Sequence, residues 1–332
     1  MTRASLASGT ALVLIVFVVF LYNLKDLNSK EMTQNRNLVA SMEKVVGNTG
    51  SDKPLPPLPE IRANGPLKPA GQASAAEELE RIWNYVYQMQ YKCTDSLYLG
   101  GMKNVLMDGA YDVCIEPQFW TRAKEPGYKC LMYSFGVGND FSFDDEMARL
   151  GCEVHSFVAA MKFRDGMVRK SGVVFHKIGI SAQDLESDSN GWKMRTLSTL
   201  IKELGHSGRY LDYLKVDTDA PQGGFEDTVI HELLTTGLHS CVRQYAMEIH
   251  VMGPLTDPTR LARCRTLYRQ MTLLNDQGWR LYNTTDNARW NQLHVRPDFT
   301  QWDNRMGIMT STSPILWETA FVNFNVKGPC VV

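Results

Sequence analysis

The sequence predicts an α/β fold in which helices flank a mostly parallel sheet of about seven strands. From residue 130 onward, short apolar segments with strand character alternate with segments whose apolar residues recur at helical spacing. The first strand runs into a glycine turn and a helix start, which is how the ligand-binding half of a doubly wound sheet begins. The predicted strands are 130–135, 152–158, 172–180, 211–217, 242–251, 279–284 and 316–324, and the predicted helices are 142–150, 196–206, 225–238 and 258–277.

The glycine turn lies in the segment CLMYSFGVGND, residues 130–140. Gly136 and Gly138 allow a tight turn and a close approach of the backbone to a ligand. Ser142 and Asp145 have the spacing of a capping box at the start of the following helix. A GxG pair alone is a weak signal, but between a strand and a capped helix it favours a ligand site over an ordinary turn.

Four regions are predicted along the chain. Residues 1–24 form an N-terminal signal anchor, because positions 4–24 carry no charge and are long enough to span a bilayer. The alternative is a cleaved signal peptide, in which case the remainder is secreted. Residues 25–74 are a flexible stem rich in Pro, Gly and Ser, 75–129 are a helical and turn-rich lead-in segment, and 130–328 are the α/β domain.

The cysteine content and one sequon indicate the lumen of the secretory pathway. Seven cysteines suit an oxidising compartment, and Asn283 begins an Asn-Thr-Thr acceptor for an N-linked glycan. The basic residues that follow the apolar segment favour the opposite orientation, because positive charge usually stays on the cytosolic side. Giving the cysteines more weight, we predict a type II single-pass membrane protein of the Golgi or secretory pathway.

The odd number of cysteines leaves at least one thiol outside any intrachain disulfide. We predict a disulfide between Cys93 and Cys114, because a cross-link stabilises a turn-rich segment that has little core of its own. Cys152 and Cys241 lie in apolar strand contexts, where a cysteine usually behaves as a small buried hydrophobic residue. No CxxC or Cys/His metal-binding spacing occurs, so no metal site is predicted.

Charge and motifs exclude several classes of function. The net charge is −1 and no basic stripe is interleaved with aromatic residues, which argues against nucleic acid as a partner. The GxGxxG dinucleotide fingerprint, the GxxxxGK[ST] phosphate loop, GxSxG and HExxH are all absent. Among the ligands of doubly wound sheets, S-adenosylmethionine then best suits one short glycine turn and seven strands.

Several separate segments resemble one family, and they occur in the family's order. They are CLMYSFGVGND (130–140), GCEVHSF (151–157), FHKIGIS (175–181), WKMRTL (192–197), LKVD (214–217), EIH (248–250) and GW (278–279), after a similar stretch at 107–114. Over roughly residues 85–325 the chain is similar to the metazoan methyltransferase-like protein 24 group. The resemblance implies a Rossmann-like class I methyltransferase sheet, S-adenosylmethionine as cofactor, a small-molecule, protein or glycan acceptor, and a membrane-anchored or secreted protein.

Cofactor contacts are predicted at the ends of the first three strands, on the edge where doubly wound sheets bind ligands. The family typically reads Phe-Asp-Pro-Ser where this chain reads Phe157-Val-Ala-Ala. Val158 cannot accept hydrogen bonds from ribose hydroxyls, which costs about 2–3 kcal/mol; Glu153 or His155 could compensate only in another strand register. The predicted cofactor residues are Ser134, Phe135, Gly136, Gly138, Asn139, Asp140, Phe157, Ile180 and Ser181.

Catalytic groups are predicted at the ends of the fourth and fifth strands. Methyl transfer to oxygen or nitrogen needs a positioned acceptor and often a proton acceptor, and Asp217 and Glu248 lie where such groups are required. The same positions equally suit solvated strand ends or helix caps. That second interpretation is preferred for Asp219 and His250.

Other conspicuous side chains are predicted to be structural. His155 and His176 lie within apolar alternation and are expected to be core or surface histidines rather than ligands. The tryptophans are expected mainly in the core, although two of them lie in a long polar loop that could line an acceptor cleft. These tryptophans are Trp192, Trp279, Trp290, Trp302 and Trp317, of which Trp290 and Trp302 are the loop pair.

Three functions remain open on the sequence alone. The first is a lumenal S-adenosylmethionine-dependent methyltransferase, weakened by the valine at position 158. The second is a non-catalytic lumenal binding module that keeps the methyltransferase fold. The third is a stalked Golgi glycosyltransferase, because Asp217-Thr-Asp219 matches a DxD metal motif by letter.

Overall fold

A sheet of eight strands lies at the centre of the chain, for which the computed structural model describes residues 75–102, 108–120, 128–218, 224–250, 258–286 and 316–332. The predicted helices and long strands from residue 130 onward are confirmed, except that the strand predicted at 172–180 is interrupted. In chain order the elements are α1 (Ala75–Tyr87), β1 (Ser96–Met102), β2 (Asp108–Cys114), β3 (Leu131–Phe135), α2 (Ser142–Arg149), β4 (Glu153–Phe157), β5 (Met167–Val168), β6 (Val174–His176), β7 (Gly179–Ile180), β8 (Met194–Arg195), α3 (Leu197–Glu203), β9 (Leu211–Val216), α4 (Glu226–Thr236), a 3₁₀ turn (Leu238–Ser240), β10 (Val242–His250), α5 (Pro258–Asp276), β11 (Trp279–Asp286) and β12 (Leu316–Asn323).

The strand order of the sheet is β11-β12-β10-β9-β3-β4-β6-β5. β10, β9, β3, β4 and β6 run parallel, β12 runs antiparallel to both of its neighbours, and β5 runs antiparallel to β6. From β3 the chain moves outward through β4 to β6, and then returns to place β9 on the other side of β3. The reversal between β3 and β9 is the topological switch point, where doubly wound sheets bind ligands beyond the carboxyl ends of their strands.

Both faces of the sheet are covered, so every residue of β3 and β9 is buried. On one face Tyr133 and Phe135 join residues of α1, α3, α4 and α5 in the main hydrophobic core. On the other face lie α2 and the β1–β2 pair, where the ring of Phe143 contacts those of Tyr111 and Tyr213. We call this second side of the sheet the α2 face.

β1 and β2 form an antiparallel pair in a segment that the sequence predicts only as turn-rich. The glycines there favour a turn, yet Gly100 lies inside a strand because its backbone packs on α2. A Cβ at Gly100 would lie 2.6 Å from the Phe143 Cα atom. The Tyr213 hydroxyl donates to the Asp112 carbonyl (2.8 Å), which ties the pair to β9.

Three disulfides occur, and one of them is the predicted pair. The expectation that Cys152 and Cys241 are unbonded was wrong. Parallel pairing brings the residues that precede β3 and β4 side by side, and the C-terminal segment returns beside the residue that precedes β10. The seventh cysteine, Cys264, is a buried free thiol. The bonded pairs are Cys93–Cys114, Cys130–Cys152 and Cys241–Cys330.

The start of α2 differs from the predicted capping box. Its N-cap is Phe141, which makes no side-chain cap hydrogen bond, and Ser142 is the first helical residue. The Asp140 carboxylate accepts hydrogen bonds from the Ser142 backbone N–H and hydroxyl, each 2.9 Å long. Asp145 instead pairs with Arg169 at 2.7 Å. The acidic group that serves the helix start therefore precedes the predicted cap by two residues, where its charge also suits the helix dipole.

The predicted anchor (1–24) and stem (25–74) lie outside the described residues. In the part of the chain that the structure describes, no helix is both long and apolar enough to cross a membrane. Trp192 is 37% exposed, contrary to prediction, because it closes a turn in which its backbone N–H donates to the Asp188 carboxylate (2.9 Å). Trp279 and Trp317 are fully buried as predicted, and Asp219, Trp290 and Trp302 lie outside the described residues.

Candidate functional site

The glycine turn after β3 packs against the end of β9. Gly136 has a φ of 81°, and a Cβ on it would lie 1.5 Å from the Asp217 carbonyl oxygen, so only glycine fits at this position. The Gly136 N–H donates to the Phe157 carbonyl and the Asp217 N–H donates to the Phe135 carbonyl, both at 3.1 Å. The ends of β3, β4 and β9 are therefore joined at the switch point.

The second glycine of the turn has different surroundings. Gly138 has a φ of 53°, and no atom lies within 4 Å of the position that its Cβ would take. Gly138 and Asn139 are exposed, whereas Asp140 is half-buried and bonded to Ser142. The part of the turn that faces open space is therefore the pair 138–139, beyond the carboxyl end of β3.

The predicted cofactor residues on β3 and β4 have their side chains in the protein interior. Phe135 and Phe157 are buried, and their rings stack with centroids 4.7 Å apart. Ser134 is fully buried, and its hydroxyl donates to the Asp144 carboxylate (3.2 Å). These three side chains pack in the protein interior at the ends of β3 and β4, while the glycine turn that follows β3 is accessible to solvent.

The predicted residues near β7 lie beside a groove. Ile180 is buried, and the half-buried Ser181 donates its N–H to the Arg195 carbonyl (2.9 Å). The next residue along the chain, Ala182, lines a groove of about 560 Å³. The groove therefore begins one residue beyond the predicted cofactor position Ser181. Its remaining lining residues are Thr196, Ser198, Asp227, Thr228, His231, Glu232, Thr235, Thr236, Thr266 and Gln270.

The described end of β4 offers no acidic side chain. Val158 follows the strand directly, and its N–H donates to the His176 carbonyl (3.1 Å). Glu153 and His155 do not compensate, because Glu153 opens the strand and its N–H donates to the Cys130 carbonyl (2.7 Å) at the opposite edge. The strand register that would bring either of them to the ligand edge is not the one observed.

Four ionisable side chains meet on the α2 face near the carboxyl ends of the strands. Lys215 Nζ lies 3.1 Å from Asp217 Oδ2. Glu248 of β10 faces Glu318 of β12 in the antiparallel register. Ligand atoms of Asp217, Glu248 and His250 all lie within 4.8 Å of one another. The two predicted catalytic residues are thus brought together, and we call Lys215, Asp217, Glu248 and Glu318 the carboxylate cluster.

Burial and mutual repulsion determine the charge of this cluster. Burial, followed by the charge of Asp217, raises the pKa of Glu248 to about 8. Burial, followed by the charge of Glu248, raises the pKa of Glu318 well above its usual range. Burial alone would also raise the pKa of Asp217, but the ammonium of Lys215, together with Glu248 and His250, outweighs burial and the pKa is lowered. The cluster therefore combines the Lys215–Asp217 ion pair with two glutamic acids whose pKa values are both raised.

His250 is fully buried, so its prediction as a solvated strand end or cap was wrong. Its Nδ1 atom lies 2.7 Å from Glu226 Oε1, and its Nε2 atom lies 3.0 Å from Glu248 Oε2. Arg263 donates to the Glu226 carboxylate and to the His250 carbonyl, both at 2.7 Å. His250 therefore connects Glu248 to the first turn of α4 and fixes the orientation of its carboxyl group.

Asp144 extends the polar network beneath the glycine turn. Its carboxylate accepts hydrogen bonds from the hydroxyls of Ser134 and Ser156. Burial raises the pKa of Asp144 to about 6, although the charge of Lys215 acts in the opposite direction. Lys215 thus lies between two carboxyl groups, Asp144 under the turn and Asp217 at the end of β9.

Comparison with known sequences identifies the family. The family profile described as "Methyltransferase domain" matches residues 65–299, more than half of the chain. The chain belongs to this methyltransferase domain family.

Two similar proteins confirm the group that the sequence motifs indicate for this methyltransferase domain. "Probable methyltransferase-like protein 24" of Homo sapiens is 26% identical over 274 residues, which is 76% of this chain and 72% of the human protein. The Rattus norvegicus protein of the same name is 25% identical over 237 residues, 68% of this chain and 62% of the rat protein. Among solved structures, a cyclopropane-fatty-acyl-phospholipid synthase-like protein from Lactobacillus casei ATCC 334 has a TM-score of 0.32 and 12% identity, over 59% of this chain and 85% of that one.

The candidate site includes residues that sequence reasoning missed. Lys215 lies in LDYLKV and Glu318 in LWETAFVN, and a charged residue inside an otherwise apolar strand is the available signal. The proximity of Lys215 and Glu318 depends on the register between strands, which cannot be predicted from the sequence. No sequence feature marks Tyr111 as a site residue. Burial, followed by the charge of Asp217, raises the pKa of its hydroxyl well above the usual range.

Proposed function

We propose that this methyltransferase domain transfers the methyl group of S-adenosylmethionine to an oxygen or nitrogen acceptor in the secretory pathway. The glycine turn at the switch point carries the proposal, because Gly136 is fixed against Asp217 while Gly138 and Asn139 face open space. Ligands of doubly wound sheets bind at this position. The Asp217 backbone packs against this turn and its side chain belongs to the carboxylate cluster, so a ligand on the turn would lie beside the candidate catalytic groups.

The site has room for S-adenosylmethionine over the glycine turn, but it lacks an acceptor for the ribose of this cofactor. The exposed backbone at 138–139 leaves room for a ligand, since no neighbouring atom crowds Gly138. At the end of β4, Val158 offers no acceptor for ribose hydroxyls. We therefore expect S-adenosylmethionine to bind weakly. Its binding free energy should be about 2–3 kcal/mol less favourable than at a site with a carboxylate at that position.

When bound, S-adenosylmethionine supplies an electrophilic methyl group. The protein has to hold the acceptor in line and, for an O–H or N–H acceptor, remove its proton. Glu248 suits that second task, because burial and then the Asp217 charge raise its pKa to about 8, which makes its carboxylate form a stronger base than an ordinary glutamate. His250 orients Glu248, and Asp217, which Lys215 keeps ionised, positions the acceptor.

The valine at position 158 also favours a second candidate, a lumenal binding module that keeps the fold without catalysis. The glycosyltransferase interpretation has less support. It requires Asp217 as a metal ligand, but the Lys215 ammonium already lies 3.1 Å from its carboxylate.

Calorimetry on the full chain distinguishes the three functions. The protein is expressed in the secretory pathway, purified in detergent, and titrated with S-adenosylmethionine and separately with nucleotide sugars plus Mn²⁺. Saturable binding of S-adenosylmethionine alone supports the methyltransferase, and binding of a nucleotide sugar alone supports the glycosyltransferase. Binding of neither ligand would leave the non-catalytic module.

We also propose that residues 25–332 are lumenal. Three disulfides support this location, and Asn283 lies half-buried on β11, at the edge of the sheet. Glycosidase digestion after expression in cells should shift the wild-type band but not that of Asn283→Gln. An unshifted wild-type band, together with cleavage of the stem by a cytosolic protease, would overturn the orientation.

A further inference from the structure

A second polar cluster lies near the start of β4, on the opposite side of the sheet from the α2 face. Glu153 Oε1 lies 3.2 Å from His155 Nε2 and 3.3 Å from His206 Nε2. Ligand atoms of all three side chains lie within 4.8 Å of one another. Two histidine nitrogens and one carboxylate oxygen therefore converge on one point, far from the glycine turn.

The spacing of these atoms is that of ligands around zinc. Zn²⁺ binds histidine nitrogen and carboxylate oxygen at about 2.0–2.2 Å in tetrahedral sites, so neighbouring ligand atoms lie about 3.3–3.4 Å apart. The two carboxylate-to-nitrogen distances, 3.2 and 3.3 Å, agree with that value. Two histidines and one glutamate form a ligand set that zinc uses when a fourth position is left to water.

A second layer of side chains orients each candidate ligand. His176 Nε2 lies 2.8 Å from His155 Nδ1, and the Tyr133 hydroxyl lies 2.6 Å from His206 Nδ1. Arg209 donates to the other oxygen of Glu153 at 2.9 Å. Each ring thus has a partner on the nitrogen that faces away from the shared point, as histidine ligands of metals almost always do.

The backbone around the cluster is fixed covalently. Glu153 directly follows Cys152, which is bonded to Cys130. The Cys330 N–H donates to the Arg209 carbonyl (2.8 Å), and Cys330 is bonded to Cys241. Because rigid support determines how well ligands keep their geometry, two disulfides beside the cluster favour a preorganised site.

We propose that Glu153, His155 and His206 bind one Zn²⁺ ion, with water in the fourth position on the exposed side of Glu153. The ion ties β4 to the segment that follows α3, and its site is separate from the carboxylate cluster. Glu153 keeps 28% of its side chain exposed, so the ion has access from solvent. The opposing explanation is a purely structural cluster in which both histidines donate N–H groups to Glu153.

Metal titration of the full chain separates these explanations. The protein is stripped with a chelator and titrated with Zn²⁺ against a chromophoric competitor, and then with Co²⁺, whose visible absorption reports a tetrahedral site. We expect one equivalent per chain and a rise of the melting temperature with Zn²⁺. Glu153→Gln and His206→Gln should lose Zn²⁺ binding. Tyr133→Phe removes only the hydroxyl that contacts His206 Nδ1, and it should weaken Zn²⁺ binding about tenfold.

Two variants serve as matched controls. His231→Ala changes an exposed histidine on α4, and Glu248→Gln changes the other cluster; both should bind Zn²⁺ as the wild type does. The proposal fails if stripped wild-type protein takes up no stoichiometric Zn²⁺. It also fails if His206→Gln, folded by its melting curve, still binds Zn²⁺ fully, or if Glu248→Gln abolishes the binding.

Discussion

The backbone carbonyl of Asp217 occupies the space that a side chain on Gly136 would need. A Cβ at Gly136 would lie 1.5 Å from that oxygen, whereas a Cβ at Gly138 would meet nothing within 4 Å. The first glycine is therefore required by the fold, because it brings the ends of β3 and β9 together. The second glycine is not required for packing, and its backbone is accessible to a ligand.

Gly136→Ala should destabilise the protein by about 3 kcal/mol, from a main-chain clash and a strained positive φ. Gly138→Ala should cost only about 1 kcal/mol, because just the φ penalty applies. Urea denaturation measures both values. If Gly138→Ala keeps the fold but binds S-adenosylmethionine more weakly, the exposed part of the turn contacts the cofactor; equal destabilisation by both substitutions would contradict the assignment.

Val158→Asp should tighten binding of S-adenosylmethionine by about 2–3 kcal/mol, roughly a hundredfold, because a carboxylate at the end of β4 would accept hydrogen bonds from the ribose hydroxyls. Calorimetry of wild type and variant measures the change. Val158→Ala is the control and should show no gain. Unchanged affinity in Val158→Asp, with wild-type binding already micromolar, would show that the ribose contact lies elsewhere.

The stability of the fold should decline with rising pH through the titration of Glu248. Burial, followed by the charge of Asp217, raises its pKa from the ordinary 4.5 to about 8. Between these values the folded protein binds a proton that the unfolded chain releases, so this contribution is complete below 4.5 and lost as pH rises through 8. Denaturation at several pH values should show a shallower decline for Glu248→Gln than for wild type.

If Glu248 removes the acceptor proton, methyl transfer should accelerate as pH passes about 8, where this group becomes a carboxylate. The kcat/KM of the wild type measured against pH should show that rising limb. Glu248→Gln should lack the limb and have low activity at every pH. A limb that persists in Glu248→Gln would assign the base to another group.

Removal of the Cys241–Cys330 disulfide should cost more stability than removal of Cys130–Cys152. The two bonds span sequence separations of 89 and 22 residues. On the loop-entropy model these correspond to about 4.5 and about 3.5 kcal/mol. Melting of the paired Cys→Ser variants tests the order. Mass spectrometry of non-reduced peptides checks the pairing itself, and an alkylated Cys152 or Cys330 in the wild type would contradict it.

The sequence predicts most of the α/β architecture because its strands from residue 130 onward are short apolar runs with clear ends. It does not predict the β1–β2 pair, because Gly100 has turn chemistry but serves a close contact with Phe143. It places Asp217 and Glu248 correctly at neighbouring strand ends. It cannot show that Glu248 faces Glu318, because that pairing depends on the register of β10 with β12.

Disulfide partners were partly beyond sequence reasoning for the same physical cause. Cys93 and Cys114 are close in sequence and lie in a turn-rich segment, so their pairing can be predicted from the sequence. Cys330 lies 89 residues from Cys241, and only the return of the C-terminus to β10 brings them together. His250 was misjudged because Glu226, its partner on α4, is 24 residues away in sequence.

All three disulfides lie toward the edge where the parallel strands begin. Cys130 and Cys152 precede β3 and β4, Cys241 precedes β10, and the Cys114 N–H donates to Gln244 near the start of β10 (2.9 Å). The opposite edge carries the glycine turn and is held by hydrogen bonds and by the Lys215–Asp217 ion pair. A reductant would therefore act on the end of the sheet that lies away from the glycine turn and the carboxylate cluster, so oxidative folding and the chemistry of the candidate site can be disturbed independently.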